Sequence, residues 1–150
     1  MKILIKSGPE ALLHDPQQPT YAIRLDSDIR RLKVLKTSEF YKVIKKYSFG
    51  DINPDKMDYS SYSGEIFFNE SIAEKIIKYF KDYKNGCLEL LVHCSAGLGR
   101  SPAVAIALND IFDLDNDFSD KKIKYPRLNH YIYDKMIFIS KNIKKLEKKK

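Results

Sequence analysis

The segment from Leu88 to Phe112 limits the fold more than any other part of the chain. Leu88, Leu90, Leu91 and Val92 form an apolar run ending at His93, and Ala103 to Phe112, rich in helix formers, follows closely. A run of this kind reads as a strand covered on both faces, which needs helices on either side of its sheet. Helix signals flank it. Upstream, Ser71-Ile72-Ala73-Glu74 has the spacing of a capping box, and Ile72, Ile76, Ile77, Phe80 and Tyr83 recur at helical intervals up to the left-handed stop Asn85-Gly86. Downstream, Ser101 as N-cap and Pro102 at the first helical position open the next helix. The expected class is α/β, a central and mostly parallel sheet flanked by helices.

Other elements fit that frame. Met1 to Lys6 reads as a first strand ended by the turn Ser7-Gly8-Pro9, Tyr21 to Leu25 as a second, and Phe40 to Phe49 as a third. Asp15 to Pro19 and Asp113 to Asp120 read as loops. So does Gly50 to Gly64, whose length is uncommon for a loop without a function. A last helix is expected from about Asn129 to Leu146, with Ile132, Met136, Ile139 and Ile143 on one face; Asn129 reads as its cap in preference to a support for the glycine-rich turn before Ser101. Residues 147–150 should fray. With 150 residues and 43% apolar composition, one domain over 1–150 is expected.

Charge and cysteine content narrow the partners. The net charge of +7 favours anionic partners, but lysine supplies 22 of the 27 basic residues, a compositional bias that leaves nucleic acid allowed and not favoured. Ala103 to Leu108 is far short of the ~20 residues that span a bilayer, so no membrane is expected. Only Ile3 to Ile5 separate Lys2 from Lys6, too few for a secretory apolar region, which points to the cytoplasm. Along a strand, Cys87 and Cys94 would lie roughly 23 Å apart, beyond disulfide reach. Around Cys94 the ligand spacing is wrong for zinc, and no metal is expected.

Between the apolar strand and the helix lies His93-Cys94-Ser95-Ala96-Gly97-Leu98-Gly99-Arg100-Ser101. At ordinary residue frequencies this His-Cys, five residues, Arg-Ser pattern with its central glycine arises in on the order of 1 in 10⁵ chains of this length, which sets it apart from chance. Each residue type has a physical reason. The thiolate is the nucleophilic form of cysteine, and a strand end facing a helix N-terminus favours it. The backbone N–H groups of Ser95, Ala96, Gly97, Leu98, Gly99 and Arg100 can curl into a nest for an anion, Gly97 and Gly99 allowing the dihedrals. Arg100 closes the ring with a planar fork suited to two phosphoryl oxygens. A lone cysteine at a strand end is more often a small buried apolar group; the arginine and the helix start turn the balance to nucleophilic catalysis.

At these residues the chain resembles the protein tyrosine phosphatase superfamily, whose signature is Cys, five residues, Arg, then Ser or Thr. His93 to Ser101 fits it throughout, and the upstream strand, loop, helix and strand fit loosely. The resemblance implies a phosphatase-like fold with the phosphate loop between a central strand and a helix. It also implies a mechanism: Cys94 attacks phosphorus, an aspartic acid protonates the leaving oxygen, and water releases phosphate from phosphocysteine. Ser101 would donate to the departing thiolate, and His93 would tune Cys94 through hydrogen bonding. No cofactor is implied.

The family carries its general acid on an upstream loop, in Trp-Pro-Asp or a looser equivalent. This chain has no Trp, which leaves Asp51, Asp55 and Asp58. Asp51 is preferred because it follows the third strand and Gly50 directly, like the Phe-x-Asp of compact dual-specificity relatives. Each of these aspartates reads equally well as a solvated turn former. Gln17 and Gln18 are the only glutamines, so the water-positioning glutamine loop of the large tyrosine-specific enzymes is missing. The position of Cys94 does not suit the low-molecular-weight class, and the uncharged Ala96 and Leu98 do not suit inositol phosphates.

What remains is a compact, monomeric, dual-specificity-like protein phosphatase, acting on phosphotyrosine and, where the pocket is shallow, on phosphoserine and phosphothreonine. Tyr59, Tyr62, Phe67 and Phe68 are ring-stacking candidates, though such residues more often pack in core or loop. His14 and His130 read as surface or packing residues. Two alternatives stay open: the same chemistry on RNA 5′ phosphates, and a phosphate-binding module without catalysis.

Overall fold

The computed structural model describes residues 1–54 and 66–149. Its elements in chain order are β1 (Lys2–Ser7), α1 (Gly8–Leu13), β2 (Thr20–Asp26), a 3-10 turn at Ile29–Arg31, β3 (Tyr41–Ser48), α2 (Glu70–Tyr83), β4 (Glu89–Cys94), α3 (Arg100–Phe112), the single turn α4 (Lys121–Lys124) and α5 (His130–Lys148). The four strands form one sheet in the order β1-β4-β2-β3, and every pairing is parallel. The fold is α/β, with helices on both faces of the sheet.

β4 and β2 are the inner strands, and alternate residues face two different cores. Tyr21, Ile23, Leu25, Leu90, Val92 and Cys94 face the larger one, where they meet Ile76 and Phe80 of α2, Ile106 and Leu108 of α3, and Ile132 and Met136 of α5. Ala22 and Leu91 face the smaller one, covered by Ala11 of α1 and by Leu35. Every residue of α3 from Arg100 to Asn109 is buried. Ala103, Ala105 and Ala107 make that burial possible, because small side chains let the helix lie close on the sheet. The outer side of β1 is tied down by Asn116: its Oδ1 accepts from the Ile3 N–H at 3.1 Å and its Nδ2 donates to the Met1 carbonyl at 2.8 Å.

Several boundaries differ from expectation, each for a local reason. Ser7-Gly8-Pro9 is not a turn but the start of α1. The Ser7 Oγ accepts from the Glu10 N–H at 3.2 Å, and the Glu10 carboxylate accepts from the Ser7 N–H at 2.9 Å, a complete capping box. The same Ser-x-x-Glu spacing at Ser71 is not used. Asn69 caps α2 instead, its Oδ1 accepting from the Ile72 N–H at 2.9 Å, while Glu74 pairs with Lys78. Phe68, buried against Phe49 just before the cap, sets where the chain turns into the helix. Tyr83 is exposed rather than part of the buried face of α2.

Leu88 lies outside the strand and is 56% exposed, so β4 begins at Glu89, whose carboxylate meets His14 at 2.7 Å. Ser101 is not the N-cap of α3: the helix begins at Arg100, Gly99 takes the cap position without a side-chain bond, and Ser101 and Pro102 lie in the first turn. α5 continues past Leu146 to Lys148, and Glu147 accepts from Lys81 of α2 at 2.8 Å instead of fraying. Asn129 does cap α5, accepting from the Ile132 N–H at 3.1 Å.

These caps make a direct test of α2. Asn69→Ala should lower unfolding free energy by about 1 kcal/mol, whereas Ser71→Ala, inside the helix, should change it by only a few tenths. Urea titration of both variants measures this; a larger loss at Ser71 would move the helix start.

Candidate active site

β4 delivers Cys94 to the edge of the sheet and α3 starts at Arg100, so residues 95–99 make a tight turn between them. Gly97 is at φ +73°, and a Cβ there would stand 2.8 Å from the Ser7 backbone nitrogen and 2.9 Å from the Lys6 carbonyl carbon. Both the left-handed backbone and the close approach to β1 require glycine at that position. The turn is braced from two sides. The Gly8 N–H donates to the Ser95 carbonyl at 3.1 Å, and the Asn129 N–H donates to the Gly99 carbonyl at 3.2 Å.

Cys94 is 3% exposed, and its Sγ accepts from the Gly97 N–H at 3.3 Å. Fully buried Ser101 places its Oγ 3.2 Å from the same sulfur. A hydroxyl and a backbone N–H thus both stand at one sulfur. Ser95, Ala96 and Leu98 are exposed at the rim.

Arg100 is 7% exposed and held by three contacts. Its Nη1 donates to the Phe49 carbonyl at 2.9 Å and the Ser27 Oγ at 3.2 Å, and its Nη2 donates to the Ser95 Oγ at 3.2 Å. Its Nε–H is buried and has no partner among the described residues. The fork is thus aimed by neutral acceptors, with no ion pair among the described residues and one donor in reserve, an arrangement that suits an incoming anion.

Asp51 lies against this turn. A Cβ on Gly99 would run into both Asp51 carboxylate oxygens and come 2.9 Å from its Cγ. The Asn129 Nδ2 donates to the Asp51 Oδ1 at 2.9 Å and to the Ile52 carbonyl at 3.0 Å. Asn129 therefore caps α5 with its oxygen and holds the Asp51 segment with its nitrogen. Asp55, Asp58, Tyr59 and Tyr62 lie outside the described residues. Phe68 is a core residue packed edge-to-face on Phe49 at 4.9 Å, not a wall of the site.

His93 points away from Cys94, into the smaller core, and is 1% exposed. Its Nε2 accepts from the Arg24 Nε–H at 2.9 Å, which leaves the imidazole proton on Nδ1. Burial, reinforced by the Arg24 charge, brings the His93 pKa down to about 4. The ring is neutral at physiological pH.

Beside Asp51 opens a surface pocket of about 410 Å³, lined also by Asn53, Arg127, Asn129 and His130. Larger hollows, of about 510 and 560 Å³, lie between β3 and α2 and between α2 and α5, but neither includes Cys94 or Arg100. Chemistry and not volume marks the site. The structure brings Cys94, Ser95, Gly97, Gly99, Arg100, Ser101 and Asp51 together. Asn129 serves both as the cap and beside the turn, and the structure adds Ser27 and Arg24, which sequence reasoning did not assign to the site. A signal existed for Arg24, a lone cation inside the apolar strand Tyr21 to Leu25; Ser27 carried none. No family model matches the chain, and no curated protein shows significant similarity to it.

The neutral His93 has a consequence for stability. Between about pH 6.5 and 4 the unfolded chain binds a proton at this position that the folded protein does not, so stability falls as pH falls through that window. The contribution amounts to roughly 3 kcal/mol in full. Urea unfolding from pH 7 to pH 4.5 should show wild type losing more stability than His93→Asn, whose carboxylates titrate alike; equal losses would refute the neutral ring.

Proposed function

We propose that this protein is a cysteine-dependent phosphatase of the compact dual-specificity type, hydrolysing phosphotyrosine, and phosphoserine or phosphothreonine, in protein substrates. The observation that carries the reading is the pairing of Cys94, flanked by Gly97 N–H and Ser101 Oγ, with a buried Arg100 whose Nε–H has no partner among the described residues.

In this mechanism the phosphoryl group seats in the turn between Ser95 and Arg100, with Arg100 and the backbone N–H groups on its oxygens. The Cys94 thiolate attacks phosphorus, forming an S–P bond as the ester P–O bond breaks. Asp51 gives its proton to the leaving oxygen, and its position over Gly99 with Asn129 on one oxygen supports that assignment. As a carboxylate it then takes a proton from the water that attacks phosphocysteine. The S–P bond breaks, inorganic phosphate leaves, and the Ser101 hydroxyl donates to the returning thiolate. No cofactor enters the scheme. Ala96 and Leu98 put no charge at the exposed rim, which favours phosphoproteins over inositol phosphates.

Single-turnover hydrolysis of aryl phosphates with acid-quench trapping of phosphocysteine tests the reading. Cys94→Ser should abolish turnover, and Arg100→Lys should lower it about 10²-fold or more. Asp51→Asn should slow phenyl phosphate by about 10²- to 10⁴-fold and an activated nitrophenyl ester much less. Gly99→Ala, which displaces the Asp51 carboxylate, should share that leaving-group signature. Wild type that binds phosphate but never turns over would identify a binding module instead. The +7 charge allows RNA 5′ phosphates as a second substrate class; a steep loss of substrate binding with salt would favour it.

A further inference from the structure

The smaller core holds a cation that the catalytic scheme does not use. Arg24 sits within β2, 3% exposed, in register with His93 on β4. Its Nε donates to the His93 Nε2 at 2.9 Å and its Nη2 to the Lys33 carbonyl. Both partners are neutral, and among the described residues it forms no ion pair. Burial lowers its pKa, yet a guanidinium keeps its charge at neutral pH.

The groups around it do not supply a counter-charge. Lys46 is its register partner on β3, and Lys6 of β1 is the register partner of His93. The Tyr41 hydroxyl is buried without a hydrogen-bond partner among the described residues. Asp26, on the same strand, is engaged by Arg31 at 2.8 Å, and Glu89, further back on β4, by His14 at 2.7 Å. On α1, Glu10 is committed to the Ser7 N–H at 2.9 Å. An uncompensated buried cation costs several kcal/mol, and an apolar side chain of equal volume is often neutral or stabilising in its place. Stability alone does not account for Arg24.

Its location does. The bond from Arg24 leaves the His93 proton on Nδ1, which has no partner of good geometry and lies beside the Cys94 main chain. We propose that Arg24 is a positioning residue: it locks the His93 ring in the Nδ1–H form and sets a fixed positive charge behind Cys94, favouring the thiolate. This rests on the reading of Cys94 as the nucleophile.

The test follows the thiol itself, independent of turnover. In a Cys87→Ala background Cys94 is the sole thiol, and the pH dependence of its alkylation by iodoacetamide reports the thiolate. Arg24→Met should raise the midpoint by about one pH unit, a roughly tenfold slower alkylation below it. Arg24→Lys, which keeps a cation and a donor, should restore most of the shift. The melting temperature of Arg24→Met should be unchanged or higher. A midpoint unmoved by Arg24→Met overturns the proposal, as does a lowered melting temperature with the midpoint unmoved, the mark of a strut. The unaltered protein gives a second reading if Arg24→Met does not fold. Its ¹⁵N spectra should show His93 with a protonated Nδ1 and a bare Nε2 at pH 7; an Nε2–H form or an imidazolium overturns the proposal. A midpoint that moves in a protein without turnover faults the phosphatase reading and leaves the role of Arg24 intact.

Discussion

All strands of the sheet run the same way, so their carboxyl ends meet along one edge, and everything in the candidate site hangs from that edge. Ser7 ends β1 opposite Cys94, which ends β4. Ser27 follows β2, and Phe49 and Asp51 follow β3. Open parallel sheets place ligand sites at this edge because the turns into the helices gather there and helix N-termini point toward it. One antiparallel strand would have carried its functional end to the opposite side. Order matters as much as direction: with β4 between β1 and β2, the Cys94 turn is braced by the Gly8 N–H on one flank while Arg100 reaches Ser27 on the other.

Two buried arginines frame the site, and neither meets a carboxylate among the described residues. Arg100 is aimed by Ser27, Ser95 and the Phe49 carbonyl, Arg24 by His93 and the Lys33 carbonyl. Each carries a desolvation cost of several kcal/mol, which its neutral hydrogen bonds, about 1.5–3 kcal/mol apiece, offset without supplying a counter-charge. On the proposed reading the site is preorganised: its charge is in place before the ligand arrives, and the fold carries the cost. The neutral state of His93 belongs to the same economy, since a second buried cation beside Arg24 would add both desolvation and like-charge repulsion.

The sequence carried much of this locally. The glycines of the turn, the strand before it and the helix after it are short-range features, and short-range patterns survive reading in one dimension. By its place after the third strand Asp51 is preferred to Asp55 and Asp58, and in the structure it lies at Gly99 and Asn129. Local patterns also misled. Ser7-x-x-Glu10 forms a capping box and Ser71-x-x-Glu74 does not, though the spacing is identical. The difference is Phe68, whose burial against Phe49 makes the chain enter α2 at Asn69. Ser101 reads as a cap beside Pro102, but it lies within the first turn and its hydroxyl stands at the Cys94 sulfur.

By itself, the sequence determined the class of fold, the position of the Cys94 to Ser101 turn and the chemical types it gathers, because strand periodicity, glycine backbone freedom and helix formation act over a few residues. Only the tertiary structure decided which distant groups complete that turn. Asn129 holding Asp51, Ser27 and Phe49 fixing Arg100, and Arg24 setting the His93 tautomer all link residues far apart in the chain. Strand order and register create those contacts, and they follow from packing the whole chain around two cores rather than from the preferences of any one segment.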